Sequence, residues 1–205
     1  MSGIISQNVG RPSGLVKAAE GGGGSWTLIK TLTASADSDL SFVNGSDDVT
    51  LDSTYPIYVF KFTTIHVETD GAYFQVNFTD GSSDLSKQST AFRDIHDEAG
   101  TWATLDYLNG LDLANSTSEQ TLLENIGNEN DECVSGYLYL YSPSSTTFVK
   151  HYIGNATGYQ AGNHSYGQHT AGYVNSTSAV TVARFQTSTG NIDSGKIKLF
   201  GIKDS

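Results

Sequence analysis

The sequence has 205 residues but only one cysteine, Cys133, and this scarcity excludes two kinds of site. A single cysteine can form neither an internal disulfide nor a cysteine-based zinc site. The chain also contains no run close to the ~20 consecutive apolar residues that span a bilayer. Its N-terminal stretch has neither the basic start nor the apolar core of a secretory signal peptide. These absences predict a soluble protein without a membrane partner.

Basic residues are the second scarcity. The chain has 11 Lys and Arg against 22 Asp and Glu, which gives a formal net charge of −11 at pH 7. Such a charge repels the phosphate backbone, so no nucleic-acid partner is expected. The charge is uneven, because Arg11 and Lys17 outnumber Glu20 within residues 1–24. This first segment carries +1 and the rest of the chain −12.

Motifs of catalysis are the third absence. The sequence has no Gly-x-Ser-x-Gly elbow, no P-loop and no dinucleotide fingerprint. Cys133 and His151 could form a nucleophile and base, but no local motif supports that pairing. The acidic clusters lack the spacing of an EF-hand calcium loop and are interpreted as solvated turns. The sequence therefore predicts no catalytic residue, no metal and no cofactor, and hence a protein that is not an enzyme.

What the sequence does contain is alternating patterns of aromatic and β-branched residues, separated by Gly, Asn, Asp and Ser. About ten or eleven short strands follow, in a jelly-roll-like antiparallel β-sandwich over residues 25–205. Asp80-Gly81 is interpreted as a hairpin turn, and Asn44-Gly45 as a turn that leads into a second strand-like run. Residues 116–127 are the only plausible helix, although an irregular strand fits them equally well.

The same alternation predicts which side chains face the core. In residues 73–78, Tyr73, Gln75 and Asn77 are expected to point outward. Ten residues are expected to be mostly buried: Phe60, Phe62, Phe74, Val76, Phe78, Leu138, Leu140, Val182, Leu199 and Ile202.

Residues 1–24 are interpreted as an extended docking arm with a glycine hinge at 21–24. The arm has apolar residues that a purely solvated linker would not need. We expect it to bind a different subunit through its apolar and basic residues: Ile4, Ile5, Val9, Arg11, Leu15, Val16 and Lys17.

Tyrosines indicate self-association. In residues 137–141, Leu138 and Leu140 point to one face and three tyrosines to the other, so both faces need at least partial cover. A symmetric homo-oligomer, most simply a trimer, would place tyrosines at its seams. The predicted interface residues are Tyr55, Tyr58, Tyr73, Tyr137, Tyr139 and Tyr141.

A candidate ligand loop spans residues 158–173, with Tyr159, His164, Tyr166 and His169. No acidic residue lies between Gly154 and Asp193, which disfavours a metal site. Aromatic, amide and imidazole groups suit a carbohydrate-binding or partner-binding surface. The alternative is an exposed loop that binds nothing.

Four stretches of the chain resemble small virion structural proteins of tailed phages that infect marine and other aquatic bacteria. They are SGIISQNVGRPSGLV (2–16), SFVNGSDDVTLDSTYPIYVFKFTTIHVETDGAYFQVNFTDG (41–81), VSGYLYLYSPSSTTFVKHYI (134–153) and GNIDSGKIKLFGIK (190–203). The resemblance implies a β-sandwich on the outer surface of the virion, made in the host cytoplasm and often trimeric, with no catalytic residues.

Within that family, the expected function is that of a capsid decoration or cement protein whose main partner is the major capsid protein. A tail-fibre or receptor-binding module that recognises a host surface glycan is the alternative.

Overall fold

The computed structural model describes residues 26–204, and every regular element in that range is a β-strand. The prediction of an all-β antiparallel fold is confirmed. The predicted arm, residues 1–24, lies outside the described residues, as do its seven predicted contact residues. No helix that is long and apolar enough to cross a membrane occurs between residues 26 and 204.

Twelve strands follow one another between residues 26 and 202 of the described range. They are β1 (Trp26–Asp37), β2 (Asp39–Val43), β3 (Ile57–Val67), β4 (Ala72–Thr79), β5 (Lys87–Asp97), β6 (Ala103–Tyr107), β7 (Gln120–Ile126), β8 (Val134–Tyr141), β9 (Lys150–Gln160), β10 (His164–Val174), β11 (Val182–Thr187) and β12 (Ile192–Ile202).

The strands form two layers of unequal size. The large sheet has the order β1-β12-β3-β8-β9-β10-β5-β6, and the small sheet has the order β2-β11-β4-β7. All neighbouring strands are antiparallel. One pairing, Ile126 of β7 with Gln160 of β9, joins the two sheets. The result is a sandwich that is nearly closed into a barrel.

The core lies between the two sheets, because alternate residues of each strand face inward. Its centre is a group of phenylalanines in which Phe60 and Phe185 face each other across the sandwich, with ring centroids 5.2 Å apart. Eight of the ten predicted core residues are fully buried. Val182 and Ile202 are half-buried because each points to the outer face of its sheet: Val182 alternates with the buried Ala183, and Ile202 pairs with the exposed Trp26.

Residues 116–127 contain the strand β7 and no helix. The interpretation as an irregular strand is the correct one. β7 has one extra residue between the partners of Ala72 and Phe74, and another between the partners of Phe74 and Gln75. Each such bulge shifts the inward-facing position by one residue. Three residues at a spacing typical of a helix are therefore all buried: Leu122, Leu123 and Ile126.

The turn at Asp80-Gly81 closes a short hairpin, in which Thr79 and Asp84 form an antiparallel bridge and the Leu85 amide donates to the Phe78 carbonyl. The Asp80 carboxylate accepts hydrogen bonds from the amides of Ser82 and Ser83, and Gly81 has a φ of 93°. The chain then crosses to the large sheet, where β5 pairs with β10 and β6. The run that follows Asn44-Gly45 is not a strand. The Leu51 amide donates a hydrogen bond to the Asn44 side chain rather than to the backbone of a neighbouring strand.

Two buried lysines stabilise the loops at the sandwich ends. The Lys87 ammonium donates to Asn77 Oδ1 at 2.5 Å and to the Leu85 carbonyl at 2.9 Å. Asn77 lies on the outer face with its register partner Arg184, as predicted, but it is completely buried because Lys87 and the Thr117 backbone cover it. The Lys150 ammonium donates to the carbonyls of Ser176 and Ser178 at 2.7 and 2.5 Å. Desolvation lowers the pKa of both amines, that of Lys87 to about 8.

Candidate functional site: the aromatic face of the large sheet

The outer face of the large sheet has continuous rows of side chains across its strands. Directly paired residues in an antiparallel sheet point to the same side, so the register defines each row. One row contains Tyr107, Phe92, His169, Asn155, Tyr137 and Lys61. The next row contains Thr90, Ala171, Ile153, Tyr139, Val59, Phe200 and Leu28. We call this surface the aromatic face.

Aromatic rings pack on one another at the β1 end of this face. The Trp26 ring lies 5.7 Å from Phe200 and 6.3 Å from Tyr139, both in edge-to-face geometry. The Lys61 ammonium lies 5.7 Å from the centroid of Trp26. Val59, between Tyr139 and Phe200 in its row, is completely buried although it points away from the core. The rings thus form a small second hydrophobic layer outside the sandwich.

Exposed apolar side chains concentrate on the aromatic face. Of the ten large hydrophobic residues that are exposed in the described part of the chain, seven lie here: Trp26, Leu28, Phe92, Leu105, Tyr107, Tyr137 and Ile153. Isolated exposed apolar residues are ordinary, but a contiguous patch marks an interaction surface. The aromatic face is therefore the strongest candidate for a functional site.

Three of the predicted interface tyrosines lie together on this face. Tyr139 is 5.4 Å from Tyr137 and 6.3 Å from Tyr141, measured between ring centroids. The leucines between them, Leu138 and Leu140, are completely buried in the core. The alternation of β8 is therefore as predicted.

The other three predicted interface tyrosines are elsewhere. Tyr58 is completely buried, and its hydroxyl donates to the Asp52 carbonyl at 3.0 Å. Desolvation raises the pKa of Tyr58 to about 12. Tyr55 is also buried and packs edge-on against Tyr58. Both belong to the core of their own chain, so their assignment to a subunit seam was wrong. Tyr73 is half-buried on β4 of the small sheet, away from the aromatic face.

Residues 158–173 form a β-hairpin, which corrects the predicted loop. β9 and β10 pair along their whole length, and the turn at Gln160 closes with Asn163 at a φ of 61°. Because side chains alternate, the hairpin sends Tyr159 and His169 to the outer face and His164 and Tyr166 to the inner side. The four predicted ligand residues therefore do not form one site.

Tyr166 is completely buried, and its proposed ligand contact was wrong. Its hydroxyl donates to the Glu124 carboxylate, which also accepts from Arg93 at 2.9 Å. Desolvation, followed by the hydrogen bond to Glu124, raises the pKa of Tyr166. This phenol stabilises the seam between β7 and the large sheet.

His164 and Tyr159 lie near the turn of the hairpin. The imidazole of His164 lies 5.3 Å from the Trp102 ring in edge-to-face contact. Tyr159 borders an open depression of about 470 Å³ together with His96, Asp97 and Glu98. Both residues therefore lie at the turn end of the hairpin, whereas His169 lies in the middle of β10.

His169 occupies the polar centre of the aromatic face. Its ring stacks on Phe92 at 4.7 Å between centroids. Nδ1 is 3.0 Å from Asn155 Nδ2, and Nε2 is 3.2 Å from an Asp94 carboxylate oxygen. The contact between Asp94 and His169 was not predicted, because Asp94 lies on β5 and is distant in sequence from the hairpin. No local signal could reveal a pairing across so many residues.

A groove of about 220 Å³ lies next to this centre. Its lining comes from four adjacent strands and includes Thr90, Phe92, Tyr137, Ile153, Asn155, His169 and Ala171. The small side chain of Ala171 lies between Thr90 and Ile153 in its row and leaves room above the sheet. The groove thus combines apolar walls with amide and imidazole groups.

Residues 26–204 show no arrangement typical of a metal site or of a reactive thiol. Residues 26–204 contain no group of three or more His, Cys, Asp and Glu side chains arranged to hold a metal ion. Cys133 is half-buried, and desolvation raises the pKa of its thiol. A raised pKa keeps the thiol protonated and unreactive near neutral pH.

Comparisons with known proteins found no relative. The chain matches no protein-family model, and neither a curated protein nor a solved structure is significantly similar to it. Its function therefore has to be inferred from the geometry described above and from the sequence patterns.

Proposed function

We propose that this protein is a non-enzymatic structural subunit of a phage particle, a capsid decoration or cement protein that assembles with its own copies and with the shell. Its copies form a homo-oligomer, most simply a trimer, through the aromatic face. The N-terminal arm anchors the oligomer to the major capsid protein. The finished protein lies on the outer surface of the virion after synthesis in the host cytoplasm.

The aromatic face is the observation that supports this proposal most strongly. The large sheet beneath it has eight strands, and a strand spacing of about 4.8 Å gives a width of roughly 34 Å along the sheet. A surface of this extent is large enough for a specific protein interface of about 800 Å² per partner. Tyr and Trp are also the residues that supply most binding energy at such interfaces.

Charge supports a role in dense arrays on a particle. A net charge of −11 keeps copies soluble, although it also makes them repel one another. Within the aromatic face, Lys61 and Lys198 are neighbours in one row and lower the negative charge at the contact. The free energy gained from apolar contact can then exceed the electrostatic repulsion between negatively charged copies. The sequence resemblance to virion proteins points to the same function.

Light scattering on the full chain tests the self-association. At micromolar concentration the protein should have the mass of three 21.9 kDa chains. Tyr139→Ser removes the ring at the centre of the aromatic cluster, and we expect it to weaken association at least tenfold, which corresponds to about 1.4 kcal/mol.

Phe148→Ser is the matched control, because Phe148 is 73% exposed in the loop between β8 and β9 and belongs to no row of the aromatic face. It should leave the mass unchanged. A monomeric wild-type protein, or a loss of mass in the control equal to that of Tyr139→Ser, would contradict the proposed contact.

A further inference from the structure

The groove on the aromatic face has the size and chemistry of a binding site for a small uncharged ligand. Its volume of about 220 Å³ is below the roughly 300–1,000 Å³ of pockets for drug-sized molecules. It can therefore take one ring of a ligand, with the rest outside. We propose that the groove binds a single unit of a neutral saccharide, a function separate from assembly.

The walls match the apolar faces of a sugar ring. The groove is lined by Phe92 on one side of Ala171 and by Tyr137 and Ile153 on the other, and these residues are 43%, 38% and 47% exposed. A pyranose has C–H groups on its faces and hydroxyls around its edge. Aromatic and aliphatic walls can pack on the C–H faces while polar groups meet the edge.

The polar groups at the groove are arranged to meet hydroxyls. With the Asn155 amide nitrogen as the donor, His169 Nδ1 is the acceptor and Nε2 carries a proton. That proton is donated to Asp94. The side-chain oxygen of Asn155 is then available in the groove as an acceptor, and its second amide hydrogen is available as a donor.

Charge disfavours the other ligand classes. Asp94, which lies 3.2 Å from His169, and the net charge of −11 repel phosphate and other anions. A single carboxylate beside one imidazole is too small a donor set for a metal ion, which normally takes at least three protein ligands. A ligand that is neutral and rich in hydroxyls satisfies the available acceptors without an unpaired charge.

The groove is at the β5 side of the aromatic face, whereas the Trp26, Phe200 and Tyr139 cluster is at the β1 side. Tyr139 of the cluster adjoins Tyr137 and Ile153 of the groove, so a contact confined to the β1 side leaves the groove open, whereas a contact across the whole face would cover it. The groove is complete within one chain, so sugar binding does not require assembly.

Saturation-transfer NMR on the full chain tests the site. The probes are methyl glycosides and disaccharides of glucose, galactose, mannose and N-acetylglucosamine, each at up to about 10 mM, a concentration that detects dissociation constants in the millimolar range. We expect at least one probe to bind. Phe92→Ala and Asn155→Ala should each weaken its binding at least tenfold, while Phe148→Ala should leave the binding unchanged.

Two results would overturn the inference. One is the absence of saturation transfer for every probe. The other is binding that Phe92→Ala and Asn155→Ala both retain, including the case where Tyr159→Ala removes it, because the sugar would then occupy the depression beside Tyr159. Circular dichroism on each variant shows that the fold is intact. Light scattering on the same samples reports assembly separately, so a protein that assembles without binding a sugar overturns only the saccharide site.

Discussion

Lys87 shows how a single residue connects stability to pH. Its ammonium donates to neutral oxygens of Asn77, Leu85 and Thr117, in a place where water does not reach it. Three oxygen atoms accept hydrogen bonds from the ammonium group, but they do not recover all of the hydration free energy that the charge loses on burial. The folded chain therefore releases this proton at about pH 8, well below the 10.5 of an unfolded lysine.

The direction of the pH effect follows from these two pKa values. Between pH 8 and 10 the unfolded chain binds a proton that the folded chain has already lost, so the free energy of unfolding rises with pH. From pH 8 to pH 10 the gain due to Lys87 should be about 2 kcal/mol. We expect urea denaturation to show this rise in the wild-type protein relative to Lys87→Met. Parallel stability curves for the two proteins in this pH range would contradict the lowered pKa.

The tyrosines show what sequence can predict about individual residues. Strict alternation in β8 was enough to assign Tyr137, Tyr139 and Tyr141 to the face opposite Leu138 and Leu140. Tyr55 and Tyr58 were misassigned because a tyrosine in the core looks the same in sequence as one at a surface. Only the structure shows that Asp52 satisfies the hydroxyl of Tyr58.

At the scale of elements, close packing between strands explains one glycine. A Cβ on Gly136 of β8 would lie 2.3 Å from the Asn155 carbonyl oxygen and 2.7 Å from the Phe62 ring. The added Cβ could not move away from both contacts, because the Asn155 backbone lies on one side and the Phe62 ring on the other. We expect Gly136→Ala to lower the free energy of unfolding by about 1–3 kcal/mol, as overpacked cores do.

Gly110→Ala is the matched control for this substitution. A Cβ at Gly110 would meet no heavy atom within 4 Å, and its φ is not in the left-handed region. The stability of this variant should be unchanged or raised by up to about 1 kcal/mol. Equal losses of stability in the two variants, measured by urea denaturation, would show that the contacts of Gly136 are not responsible.

Several elements could be predicted from local patterns, and others could not. The all-β class followed from the alternation and the turn residues, since both are local. The helix-like spacing in β7 came from two bulges, which depend on the partner strand β4. The glycine-rich stretch 158–173 looked like a loop, yet its glycines allow β9 and β10 to pack closely against neighbours, as Gly172 does against Tyr152. The candidate site combines four strands, so its composition depends on the strand order, which no local pattern contains.

At the scale of the whole molecule, the arm and the sandwich have separate functions in the proposed assembly. Because every strand of the sandwich lies between residues 26 and 202, removal of residues 2–20 should leave its core intact. The truncated protein should fold, with an unchanged circular dichroism spectrum, and should no longer join the particle. Co-sedimentation with purified particles measures this, and normal incorporation of the truncated protein would show that the arm is not the anchor.

The most direct test of the proposed function is an electron cryo-microscopy image of phage particles assembled in the presence of this chain. We predict density for the sandwich outside the shell, in symmetric groups of copies. The aromatic face around Trp26, Tyr139 and Phe200 should point to a neighbouring copy. Single copies whose aromatic face is open to solvent would contradict assembly through this face, and absence of the chain from the particle would contradict the structural role itself.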